Sequence, residues 1–171
     1  MIILSIDPSF RNLGLALVNL SSDRELSLIA VDVIKTKPHK KSKLSKAIQD
    51  LQDAQTLIQG VLSYVDNVDA IVIELPIGSQ SAAAMKSYGI CIGITACLHE
   101  LGIPFYYVSP YDVKRVVGSK ETTKEEIIAW VNNKHPGYLS KYKNSAEHQA
   151  DAVVAIYAAL NQIEGNYGKS N

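Results

Sequence analysis

Residues 1–20 read MIILSIDPSFRNLGLALVNL, and the fold turns on them. Met1 to Asp7 is a short apolar run that stops at Asp7-Pro8. Leu13 to Leu20 is a second, and the polar turn Ser9 to Asn12 lies between them. Two apolar runs of strand length flanking a turn predict a β-hairpin. Leu26 to Ile34, rich in β-branched side chains, follows the turn Ser21-Ser22-Asp23 and extends the hairpin into a three-strand meander.

Working outward, Leu44, Ile48, Leu51, Ile58, Leu62 and Val65 recur at helical spacing and predict an amphipathic helix of about twenty residues crossing back over the sheet. Ala70 to Glu74 is a continuous apolar run, the pattern of a parallel strand buried on both faces. Ser79 to Leu101 reads as a small-residue-rich helix closed by Gly102, and Pro104 to Val108 as a further strand. Ser109-Pro110 starts another helix, and Thr123 with Glu126 forms a capping box for Glu125 to Asn133. After the polar stretch Lys134 to Lys143, a last helix is expected over Ser145 to Ile163. The sum is an α/β fold: a five-stranded mixed sheet, an antiparallel meander plus two parallel strands, flanked by helices.

At 171 residues the chain suits one domain, expected over residues 1–163 with a flexible tail over 164–171. A composition 47% apolar and 20% charged excludes long disorder and collagen-like repeats, and two cysteines exclude a disulfide-stapled miniprotein. Cys91 and Cys97 read as inert core thiols. No apolar run approaches a membrane span and the first residues carry no basic leader, so no membrane association and a cytoplasmic location are expected. Seventeen basic residues balance seventeen acidic ones, so a nucleic-acid partner would have to be met by local patches.

Three carboxylates sit in runs that otherwise read as core: Asp7 after Ile-Ile-Leu-Ser-Ile, Glu74 inside Ile71 to Ile77, and Asp151 at the head of Ala152 to Leu160. An unpaired carboxylate there costs several kcal/mol, and these runs hold no Lys or Arg. If the first two lie on neighbouring strands and the third on the helix packed against them, the three converge as hard oxygen ligands for Mg²⁺ or Mn²⁺. His148, three residues before Asp151, shares its helical face and reads either as a boundary residue or as a metal ligand or proton-transfer group. Glu147 is a rival ligand, although Asn144 and Glu147 also read as a capping pair at the helix start.

Taken together, Asp7-Pro8-Ser9-x-x-Asn12-x-Gly14, Glu74 in the fourth strand, Ser109-Pro110-x-x-Val113-Lys114 after the fifth, and His148-x-x-Asp151-Ala152 resemble the RuvC family of Holliday-junction resolvases over essentially the whole chain. The resemblance implies a ribonuclease H-like domain that forms a homodimer and makes paired nicks in four-way DNA junctions with divalent metals. It puts Asp7, Glu74, His148 and Asp151 at the metal site; two-metal hydrolysis then calls for two Mg²⁺ per site, and because histidine is a softer ligand than Mg²⁺ prefers, Mn²⁺ is expected to substitute. It also matches Lys124 to a lysine implicated in activity, Lys114 to another basic position, and Gly89 and Gly93 to family glycines in the helix after the fourth strand. Two departures stand out. Ser9 replaces the usual glycine, and Ile77 stands where bacterial members commonly carry an aromatic that stacks on DNA.

Candidate DNA contacts come from three basic clusters: Lys35 to Lys46, including Lys40 and Lys41; Lys114, Arg115, Lys120 and Lys124; and Lys134, Lys141 and Lys143. Lys86 is the first basic residue after Glu74. Because charges beyond roughly 10 Å are screened at physiological salt, phosphates respond to such patches more than to the net charge. Other readings consistent with the residues are an inactive junction-binding protein, a branched-DNA or flap nuclease without strict junction preference, and an actin-like ATPase. The last lacks a Walker-type loop here.

Overall fold

The computed structural model describes residues 1–37, 43–78 and 81–167. The opening stretch forms the expected hairpin: β1 (Ile2–Asp7) pairs antiparallel with β2 (Asn12–Leu20), and β2 pairs with β3 (Leu26–Lys35) across a bulge at Leu17/Val18. Then follow α1 (Lys46–Leu62), β4 (Ala70–Glu74), α2 (Ala82–His99), β5 (Phe105–Val108), α3 (Pro110–Val117), α4 (Lys124–Lys134) and α5 (Lys143–Tyr167). β4 lies parallel to β1 and β5 parallel to β4, giving one sheet of order β3-β2-β1-β4-β5.

Strand alternation divides the core into two layers. Ile3, Ala16, Val18, Ala70, Val72 and Val108 pack under α3, α4 and α5, while Leu4, Ile6, Leu15, Ile71 and Ile73 pack under α1 and α2. Small side chains, Ala150, Ala152, Ala155 and Ala159, let α5 lie flat across the sheet, all of them buried. α5 begins at Lys143, ahead of Asn144, so Asn144 and Glu147 both lie inside it and the expected capping pair does not form. The helix also runs on to Tyr167, past the expected end at Ile163.

α1 departs from expectation in its orientation. Its buried residues are Asp53, Leu57 and Val61, whereas Leu44, Ile48, Leu51 and Leu62 are exposed. Two contacts fix this rotation. Gly60 leaves room for the Ile34 side chain, which a Cβ would meet at 2.5 Å, and buried Asp53 receives Arg11 at 2.7 Å. On α2, a Cβ built at Gly89 or Gly93 would meet nothing within 4 Å, so these glycines face outward rather than against the sheet. Cys91 is buried and Cys97 exposed, both free. Among the described residues no helix is long and apolar enough to cross a membrane.

Candidate active site

Asp7 and Glu74 end adjacent parallel strands, one residue beyond the Ile6–Ile73 pair. They are in phase with Ile3, Ala70 and Val72, so both side chains belong to the layer beneath α5. α5 carries His148 and Asp151 on one face, one turn apart. The seat for that turn is Gly14, which lies opposite Asp7 in β2. A Cβ there would stand 2.2 Å from the His148 carbonyl oxygen and 3.0 Å from its Cβ. The absent side chain is what lets the helix approach the strand this closely.

The four residues meet in a buried charge network. His148 Nδ1 is 2.5 Å from Asp7 Oδ2. Lys124, the first residue of α4, donates from Nζ to Asp151 Oδ2. Glu74 and Asp151 are 7% and 3% exposed, and Glu74 Oε2 and Asp151 Oδ1 have no hydrogen-bond partner. Burial, followed by the charges of Asp7 and Asp151, pushes the Glu74 carboxyl up to about 9 despite Lys124. Burial and Asp7 likewise push Asp151 up to about 6 against the opposing pull of Lys124 and His148. For His148 burial favours the neutral ring, but the hydrogen bond and charge of Asp7 outweigh it and the pKa rises. Lys124 follows the same pattern, with burial outweighed by Asp151, Asp7 and Glu74. The Asp7 charge acts on Glu74, Lys124, His148 and Asp151, and Lys124 and Asp151 act on each other and on Glu74 and His148, so residues scattered along the sequence form one electrostatic unit.

Expectation and structure differ in one respect here. The acid-bearing runs contain no cation, yet Asp151 is neutralised by one from another element, Lys124 on α4. No group of three His, Cys, Asp or Glu side chains among the described residues is arranged to hold a metal ion as it stands. Glu147 lies 4.0 Å from Lys143, which itself bonds Glu125 at 2.7 Å. Among the candidate DNA contacts, Lys114 has no ion-pair partner among the described residues, and Arg115 and Lys120 are exposed in loose pairs with Asp112 and Glu121 at 3.8 and 3.7 Å. Lys86 is committed to Asp50 at 2.9 Å, tying α2 to α1. Lys40 and Lys41 lie outside the described residues. The positioning role of Gly14 had a visible signal, a glycine inside an apolar strand.

The family model described as "Crossover junction endodeoxyribonuclease RuvC" matches residues 3–160. The chain belongs to the RuvC family. It is 31% identical to the RuvC of Rickettsia typhi over 161 residues, 94% of this chain and 97% of the relative. It is 26% identical to that of Corynebacterium diphtheriae over 133 residues, 75% and 76% of the two chains. The structure of Thermus thermophilus RuvC in complex with Holliday junction substrate superposes with a TM-score of 0.67, covering 95% of this chain and 96% of that one at 21% identity. The fold is therefore the ribonuclease H-like resolvase fold. RuvC enzymes are metal-dependent nucleases, which sets the actin-like ATPase reading aside. The residues fit such a metal: three carboxylates supply hard oxygen donors, and two of them keep a buried oxygen without a hydrogen-bond partner.

Proposed function

We propose that this chain resolves four-way DNA junctions by divalent-metal-dependent phosphodiester hydrolysis, with Asp7, Glu74, Asp151 and His148 as the metal-holding residues. The observation that carries this reading is the convergence of three carboxylates and a histidine beneath α5, two of the acids with a buried oxygen lacking any partner. The Holliday junction of the Thermus complex and the names of the bacterial relatives support the substrate. We take the cofactor to be two Mg²⁺ per site, with Mn²⁺ supporting activity at least as well because an imidazole is a softer ligand than Mg²⁺ prefers.

When bound, divalent cations supply Lewis-acid stabilisation of the phosphate oxygens and a nucleophile at neutral pH. The chain's own residues do the rest. Asp7 and Glu74, rooted in the centre of the sheet, give the site a rigid floor. His148, held at Nδ1 by Asp7, presents an oriented imidazole for ligation or proton transfer. The Lys124 side chain, 46% exposed, can extend its ammonium toward a phosphate in the cleft and stabilise charge developing on it. Lys114, Arg115 and Lys120, on α3 and the loop after it, are the candidate backbone contacts; Lys40 and Lys41 extend the same reading to the segment before α1. Lys86 contributes only by leaving Asp50. The chain acts as a homodimer in this reading, with the open face at Gly89 and Gly93 available for close helix approach, and works in the cytoplasm.

Cleavage of a labelled immobile junction, a flap and a linear duplex by wild type and Asp7→Asn tests the proposal. Symmetric nicks in the junction that require Mg²⁺ or Mn²⁺ and vanish in the variant are expected. Junction binding without cleavage in either metal would favour the inactive-binder reading, and equal cutting of flap and junction the less selective nuclease.

A further inference from the structure

Lys124 opens α4, its backbone fixed by the Thr123–Glu126 capping box, and its side chain reaches back to the sheet to meet Asp151. The Asp151 side chain is 4% exposed, so its charge has lost its water and needs a countercharge; the lysine, itself 46% exposed, supplies it. Asp151 is also one of the acids assigned above to the divalent metal. Lys124 occupies Oδ2 and leaves Oδ1 without a partner, so a divalent cation taking Oδ1 would stand close to the ammonium on the same carboxylate, where two like charges repel strongly in a buried site.

We infer that the Lys124 ammonium is the resident counter-ion of the metal-free site: it holds Asp151 until a divalent cation binds, and binding of that cation displaces it. The inference rests on the metal-site reading above and adds to it a coupling. Loading the metal frees a positive charge at the mouth of the cleft, so the phosphate meets an available ammonium only when the site is charged with metal. Lys124 is then both an internal competitor for the cation and a group released by it.

Two measurements test this. Titration calorimetry with Mn²⁺ alone compares wild type with Lys124→Gln, which removes the competitor but keeps a polar side chain; the variant is expected to bind Mn²⁺ about tenfold more tightly or better. Amine-reactive labelling of the wild-type chain, read by mass spectrometry, follows Lys124 with and without saturating Mn²⁺. Its labelling should rise severalfold while that of exposed Lys46 and Lys120 stays level, and this arm does not depend on a variant folding. Equal or weaker Mn²⁺ binding by Lys124→Gln overturns the inference, as does Lys124 labelling that does not change on saturation. If wild type shows no Mn²⁺ binding that Asp7→Asn abolishes, the metal-site reading fails and this inference with it, a result distinct from either of the others.

Discussion

Of the site's acids, Glu74 is the one whose charge the surroundings oppose most. Its folded pKa, about 9, exceeds its ordinary value because burial and two neighbouring acids oppose its charge. The metal-free folded protein therefore holds a proton that the unfolded chain gives up. Stability from this group is fully present below the ordinary pKa of 4.5 and is lost as pH rises toward about 9. Asp151 acts in the same direction between 3.8 and about 6. In calorimetric scans across this range, metal-free wild type is expected to lose thermal stability as pH rises. Glu74→Gln should lose much less, and the stabilisation by added Mn²⁺ should grow with pH. A wild-type midpoint insensitive to pH would contradict the burial of an uncompensated acid. Gly14 is the other decisive residue: Gly14→Ala forces a Cβ into the His148 backbone. It is expected to cost about 2 kcal/mol of stability and, by shifting α5 from Asp7, roughly a hundredfold in junction cleavage. Unfolding and single-turnover measurements check the two together, and wild-type cleavage would show that His148 need not sit where Gly14 seats it.

Among the elements, β1, β4 and α5 were legible because strand alternation and the cost of burying acids leave clear marks in sequence. Asp7 and Glu74 fall in phase with Ile3, Ala70 and Val72, and that phase alone puts both on the α5 side. α1 was harder. A 3.6-residue period announces an apolar stripe at Leu44, Ile48 and Leu51, but not which side of the helix the sheet receives. The deciding contact is the pair between buried Asp53 and Arg11 of the β1–β2 turn, 42 positions apart in sequence, and no local pattern encodes it. The pairing of Lys124 with Asp151 is equally absent from local pattern, the partners being 27 residues apart on different helices. Arg11 also bonds Thr36, whose hydroxyl donates to the Phe10 carbonyl, so the turn that follows Asp7 is tied to β3 and α1 together. Asp53→Ala should lower unfolding free energy by about 2 kcal/mol, the half-exposed arginine limiting the loss. Replacing both partners with apolar residues should cost less than the single change. A double variant no more stable than Asp53→Ala would show that the pair does not anchor α1.

For the molecule as a whole, zero net charge coexists with a site whose acids a metal would largely neutralise. In the proposed function, DNA affinity depends on the candidate contacts Lys114, Arg115 and Lys120 more than on the total. Converting all three to Gln should flatten the slope of log binding constant against log salt by about 2 to 3, with little change in thermal stability. An unchanged slope would move the phosphate contacts elsewhere. The proposed metal site is tested most directly by anomalous diffraction from crystals of the protein soaked in Mn²⁺. Mn²⁺ is expected to be ligated by Asp7, Glu74 and Asp151, with the Lys124 ammonium withdrawn from Asp151. Mn²⁺ bound only at other positions, with Lys124 still on Asp151 at saturation, would contradict it.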